Sequence, residues 1–265
     1  MTEAGDAADW CPDGWQRGTF PHRDHSHAFY VIDRSRPGLA LPSVMLMHEF
    51  PGITTDLVQL ANTLAQDFRV VVPSIFGRDG ARKPVEALKQ ICVRREVQAL
   101  ARNGVSAAVG WLRDFADEHV ARRRDEPYGV IGMCFSGNFA LALAVDPRVA
   151  AAVVAQPSIP IWPCALGLSQ ENRNKLQSRT DLRVQGYRFR RDWISPAAKL
   201  RAAERLLGLD KMQTFPLSEP NERQHSTLTG DSRNETALRG LRSFLAERLA
   251  ARPDNGQQLD GDLVE

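Results

Sequence analysis

A cysteine at position 134 stands in Gly-Met-Cys-Phe-Ser-Gly (Gly132 to Gly137), just after the apolar run Tyr128 to Ile131 and just before Asn-Phe-Ala-Leu-Ala. A β-run that meets a helical run with almost no loop forces a sharp turn. Such a turn strains the backbone of its central residue and needs small neighbours on both sides. Gly132 lies two before Cys134, and Ser136 and Gly137 lie two and three after it. This is the spacing of a nucleophile elbow, with cysteine where many hydrolases carry serine. At a helix N-terminus the macrodipole favours the thiolate. The N–H of Phe135 opens into the same space and can stabilise an oxyanion. The chemistry expected is nucleophilic acyl transfer. Ser136 is out of frame with Gly132 and is expected to fill a small-residue slot.

That chemistry needs a base and an acid to orient it. Open α/β hydrolases carry them after the nucleophile, the acid first and the histidine second. His22, His25, His27, His48 and His119 precede Cys134, and His225 follows it, so His225 is the expected base by elimination. Asp192 follows the strand candidate Leu182 to Gly186 and precedes a capped helix, which suits the acid. Asp181 and Asp210 are alternatives, but neither lies just beyond the C-terminal end of a strand, where the sites of open sheets form.

The segments that must position these groups are short, β-branched and separated by helical patterns. Val44 to Met47, Arg69 to Val72, Tyr128 to Ile131 and Val149 to Val154 are apolar runs, as expected of strands buried on both faces of a parallel sheet. Ala28 to Asp33 alternates weakly and suits an edge strand. Leu182 to Gly186 and Met212 to Phe215 complete the strands. Helices are expected from Thr55 or Asp56 to about Gln66, from an Asn103 cap through Phe115, over Gly137 to Val145, over Pro196 to Leu207 with Ser195 as cap, and over Asn234 to Ala250. Pro157 to Thr180 reads as an irregular loop. The alternation argues for one α/β domain over 14–251, a mostly parallel sheet with helices on both faces, and loose tails at 1–13 and 252–265.

Composition narrows the function. Lys+Arg at 34 against Asp+Glu at 32 gives a net charge of +2, so no global field attracts nucleic acid or an anionic membrane. The uncharged stretches Tyr128 to Val145 and Val149 to Gln170 are interrupted by Gly, Ser, Asn, Gln or Pro and do not read as membrane spans. Four cysteines without Cys-x-x-Cys or Cys/His spacing predict neither a disulfide scaffold nor a metal site. No cofactor is expected. The acidic N-terminus lacks a secretory pattern, so a cytoplasmic location is expected. A non-catalytic binding module on the same scaffold and a redox-sensing thiol are the alternatives to an enzyme. Cys92 and Cys164 are both distant from Cys134 in sequence.

With these residues assembled, the chain resembles the dienelactone hydrolase family, a cysteine branch of the α/β-hydrolase fold. Four segments carry the resemblance: Met-His-Glu-Phe-Pro-Gly (Met47 to Gly52), Val-Pro-Ser-Ile-Phe-Gly-Arg (Val72 to Arg78), Gly-Met-Cys-Phe-Ser-Gly, and Gln-His-Ser (Gln224 to Ser226). It implies an ester or lactone hydrolase with Cys134 as nucleophile, Asp192 as acid and His225 as base, acting on a small molecule as a monomer or small homo-oligomer. It further implies that Glu49 accepts the thiol proton when substrate arrives, that Phe50 N–H is the second oxyanion donor beside Phe135 N–H, and that Arg78 and Ser226 bind a substrate carboxylate. Ser136 stands where the family usually has a glycine. The segment from Gly186 to Asp192 is longer than the family's acid turn, and Thr229 stands where a second carboxylate-binding arginine is implied. Trp162 and Trp193 are expected to line the site instead and to favour a more apolar acyl group.

Overall fold

A computed structural model describes residues 10–23, 25–76, 79–80, 107–158, 166–218 and 224–250. Its eight strands are β1 (Gln16–His22), β2 (His25–Ile32), β3 (Ser43–Met47), β4 (Arg69–Pro73), β5 (Tyr128–Met133), β6 (Val149–Ala155), β7 (Arg183–Phe189) and β8 (Met212–Leu217). They form one sheet in the order β1-β2-β4-β3-β5-β6-β7-β8. β1 and β2 are antiparallel to their neighbours, and every pairing from β4 to β8 is parallel. The expected strands are all present, with ends shifted by a few residues. β1 is an addition: Gln-Arg-Gly-Thr-Phe-Pro-His alternates too weakly to stand out, and only pairing with β2 makes it a strand. Both outermost strands contain a proline, Pro21 opposite Ser26 and Pro216 opposite Arg188.

The apolar runs are strands because both faces are covered. β3, β5 and β6 are buried along their whole length. With a side-chain period of two, Val44 and Leu46 point into one core while Met45 and Met47 point into the other. The first core packs against α1 (Thr55–Leu64) and the last described helix, α6 (Glu235–Ala250). The second packs against α2 (Ala107–Phe115), α3 (Gly137–Leu143), α4 (Gln170–Ser178) and α5 (Ala197–Leu207). α1 is capped by Thr54, one residue before the expected cap, its side chain accepting the Leu57 N–H at 3.3 Å. Asn103 lies outside the described residues.

α4 corrects the reading of 157–180 as irregular. Ser169 caps this helix by accepting the Asn172 N–H at 3.2 Å, but the helix itself, Gln-Glu-Asn-Arg-Asn-Lys-Leu-Gln-Ser, buries only Asn172 and Leu176. It has no apolar stripe to betray it. α5 starts after Pro196 rather than at it, because Pro196 takes extended backbone as the cap. At the N-terminus, Trp10 lies edge-on to Tyr30 with ring centroids 5.4 Å apart, within the stretch expected to be a tail. No helix among the described residues is long and apolar enough to cross a membrane.

Topology decides where a site forms. From β3 the chain moves outward to β4, and β5 then lies on the other side of β3. Ligands of open α/β sheets bind outside the C-terminal strand ends at such a switch point. Glu49 follows β3, Cys134 follows β5, Gln156 follows β6, and Asp192 lies beyond β7.

Candidate active site

Cys134 has a φ of 55°, a left-handed conformation rare for a side-chain-bearing residue. The turn that imposes it is held from both sides. A Cβ on Gly132 would collide with the backbone carbonyl of Ser136, so only glycine allows the approach. Ser136 Oγ accepts the Met133 N–H at 2.9 Å, and its proton faces the carbonyls of Met133 (2.9 Å) and Met47 (3.0 Å). Ser136 therefore does more than fill a small slot, because it laces the elbow to the end of β3. A glycine there would offer none of these bonds. Phe135 N–H lies in the first turn after the elbow, where helical geometry leaves N–H groups without an intrahelical acceptor.

The structure brings Asp192 and His225 together. Asp192 Oδ2 accepts from His225 Nδ1 at 2.7 Å. Asp192 Oδ1 accepts the N–H groups of Ile194 (2.9 Å) and Ser195 (3.1 Å). The long turn after β7 is braced by Arg188, which donates to the carbonyls of Ser195 (2.9 Å) and Asp192 (2.9 Å). Asp181 is instead paired with Arg179 at 2.6 Å. His225 Nε2 is buried and makes no hydrogen bond of ordinary geometry. Burial alone would lower the His225 pKa. The hydrogen bond to Asp192 and the influence of the Cys134 sulfur outweigh burial and push it up to about 10. The imidazole therefore holds its proton at neutral pH.

Glu49 is held by polar neighbours in this structure. Its Oε2 accepts from Ser226 Oγ at 2.8 Å and Gln156 Nε2 at 3.3 Å, and its Oε1 accepts from Thr229 Oγ1. Ser226, expected to bind a substrate carboxylate, gives its proton to Glu49. The sulfur lies 3.1 Å from Ser158 Oγ, and Ser158 N–H donates to the Cys134 carbonyl at 3.1 Å. Trp193 follows the acid, but at 75% exposed it is no buried wall. Arg78 and Trp162 lie outside the described residues. Phe50 stacks on Phe76 (5.7 Å between centroids), and Phe76 meets Phe135 edge-on at 5.4 Å, an aromatic layer beside the nucleophile.

His48, in the same motif as Glu49, is structural. It is fully buried; its Nε2 accepts the Ile75 N–H at 2.9 Å, so Nδ1 carries the proton and donates to the Glu49 carbonyl at 3.0 Å. Burial lowers its pKa and keeps it neutral. Among the described residues no cluster could hold a metal ion.

Sequence reasoning missed Ser158, Gln156 and Lys199. Gln156 and Ser158 are polar residues just beyond a wholly buried strand, the signal that could have found them. Lys199 is 1% exposed in the first turn of α5. Burial pushes its pKa down to about 8, and the negative charge available at Cys134 opposes that shift. Replacing Lys199 with methionine is expected to slow alkylation of Cys134 by iodoacetamide at pH 7 about three- to tenfold, because a nearby cation favours thiolate. An unchanged alkylation rate would show that the sulfur does not feel the ammonium.

The mostly parallel sheet, with a cysteine at a strand-turn-helix elbow followed in chain order by an aspartate and its paired histidine, has the α/β-hydrolase fold. The model of the dienelactone hydrolase family matches residues 28–184, more than half of the chain, and the protein belongs to that family of hydrolases. A search of curated proteins returns no match. Similar solved structures include a provisionally named dienelactone hydrolase from Klebsiella pneumoniae subsp. pneumoniae (16% identity, TM-score 0.63, 90% of this chain and 98% of that one). A cold-adapted esterase from an Arctic intertidal metagenomic library is similar at 15% identity and a TM-score of 0.58, over 94% of this chain and all of that one. Acetyl xylan esterase 1 from Thermoanaerobacterium sp. JW/SL YS485 follows at 14% and 0.53, over 91% and 86%. At these identities the likeness is one of fold.

Proposed function

We propose that the protein cleaves a carboxylic ester or lactone of a small molecule through an acyl-Cys134 intermediate. The observation that carries this reading is a cysteine held at a φ of 55° beside a histidine whose other nitrogen is bound by a buried aspartate at 2.7 Å. The Cys134 thiolate attacks the carbonyl carbon, and the carbonyl π pair moves to an oxyanion received by the N–H groups of Phe135 and Phe50. As the tetrahedral species collapses, the C–O bond to the leaving group breaks. The alkoxide takes the proton from His225 Nε2; in a lactone it stays tethered to the acyl group. Water then adds to the thioester, giving its proton to His225, and the thiolate departs as the acid is released.

The apolar layer of Phe50, Phe76 and Phe135, and the commitment of Ser226 and Thr229 to Glu49, favour an uncharged, apolar acyl group over a carboxylate-bearing one. The test is a panel of p-nitrophenyl esters and lactones with and without a free carboxylate, with mass spectrometry of the quenched protein. Turnover with an acyl adduct on Cys134, and preference for the uncharged esters, is expected. Neither turnover nor adduct would leave a binding module on a hydrolase scaffold.

A further inference from the structure

Gln156 is fully buried immediately after β6, with a φ of 33°. A non-glycine residue in that region persists only where its surroundings over-determine it. Here they do. Its N–H donates to the Tyr187 carbonyl of β7 at 2.6 Å, and its Nε2 donates to Glu49 Oε2 at 3.3 Å, beyond β3. Its Oε1 accepts from both the N–H (3.3 Å) and the Oγ1 of Thr227. Thr227 is two residues after His225. Ser226, just before it, and Thr229, two residues after it, donate to Glu49. The segment bearing the base is thus fastened to two strand ends through one amide and one carboxylate.

We propose that Gln156 and Glu49 form a polar clamp that holds His225 in register with Cys134, with Gln156 as a positioning residue for acyl transfer and Glu49 as the clamp's acceptor. The amide suits this post because it is donor and acceptor at once: it offers N–H to a carboxylate on one side and C=O to a hydroxyl and an N–H on the other. Among the described residues, every donor that Glu49 receives comes from Gln156 or the His225 segment, while the sulfur lies beside Ser158. A displacement of about 1 Å between catalytic groups costs about 10²-fold in rate, so a clamp of this kind acts on kcat.

The inference rests on the acyl-cysteine reading, and the experiment separates the two. Steady-state hydrolysis of p-nitrophenyl acetate is measured for Gln156→Met, Thr227→Val and the exchanged pair Glu49→Gln with Gln156→Glu. Gln156→Met is expected to lower kcat about 30-fold with KM within about threefold, and to move the alkaline limb of kcat to lower pH as the imidazole loses its register. Thr227→Val should lower kcat about three- to tenfold, and less than that when Gln156 is already methionine. If Gln156→Met does not fold, judged by circular dichroism, Thr227→Val decides alone. The exchanged pair restores a donor facing an acceptor and should recover about tenfold over either of its single variants. An exchanged pair no better than its parts would overturn the clamp. So would a wild-type kcat and pH profile in Gln156→Met or Thr227→Val while Cys134→Ala is inactive. Turnover that survives Cys134→Ala would instead remove the acyl-cysteine reading itself.

Discussion

Cys134→Ala is expected to abolish ester turnover, by about 10³-fold or more, with the fold intact. The side chain removed is small and half-buried, so no large cavity is left. Alanine relieves none of the backbone strain at a φ of 55°, so melting should change little. The sharper comparison is Cys134→Ser. Serine supplies a nucleophile of similar size and, with a free imidazole, would be activated by it. In the wild type the sulfur is, with Asp192, one of the groups that push His225 up to about 10 against the effect of burial, and serine removes it. A hydroxyl also gives up its proton far less readily than a thiol. Serine is therefore expected to cost about 10²-fold or more in kcat. A serine variant within tenfold of the wild type would show that turnover does not depend on the acidity of a thiol.

The second large effect is expected of Asp192→Asn. The carboxylate fixes the imidazole by a 2.7 Å bond to Nδ1 and favours its charged form. An amide does neither, and kcat should fall about 10²- to 10⁴-fold. Stability carries the same signature with a defined sign. His225 has a folded pKa of about 10 against an ordinary 6.5. Between those values the folded chain holds a proton that the unfolded chain has lost. The stabilisation is therefore complete below about pH 6.5 and disappears as pH rises through about 10. Lys199, pushed down to about 8 from 10.5, works in the opposite direction over the upper part of that window. It is common to both proteins, so the difference between them isolates the His225–Asp192 pair. The melting temperature of the wild type should exceed that of Asp192→Asn by a margin that shrinks steadily from pH 6.5 to 10. A margin that stays constant would show that the pair does not titrate as a unit.

Much of this molecule is legible in its sequence because its central features are local. Val-Met-Leu-Met and Val-Ala-Ala-Ala-Val-Val declare strands buried on both faces, and Gly-x-Cys-x-Ser-Gly declares a turn that few other spacings permit. His225 follows from chain order alone. What the sequence conceals is relational. Nothing local marks Glu49 as a receiver of donors from residues 156, 226 and 229, which are distant in sequence. Lys199 sits in a helix of ordinary composition, and only packing turns its side chain inward. β1 and α4 are invisible for a related reason: one owes its form to a neighbour and the other to a cap, neither to an apolar pattern.

The prolines of the two outermost strands bear on how copies of this chain meet. Proline is tolerated in a ladder only where its nitrogen faces away from the paired strand, so Pro21 and Pro216 each delete a donor from a free margin of the sheet. Each border is thereby made a poor template for docking by another chain's backbone. Fibril-like growth along the hydrogen-bonding direction is discouraged at both extremities of the described sheet.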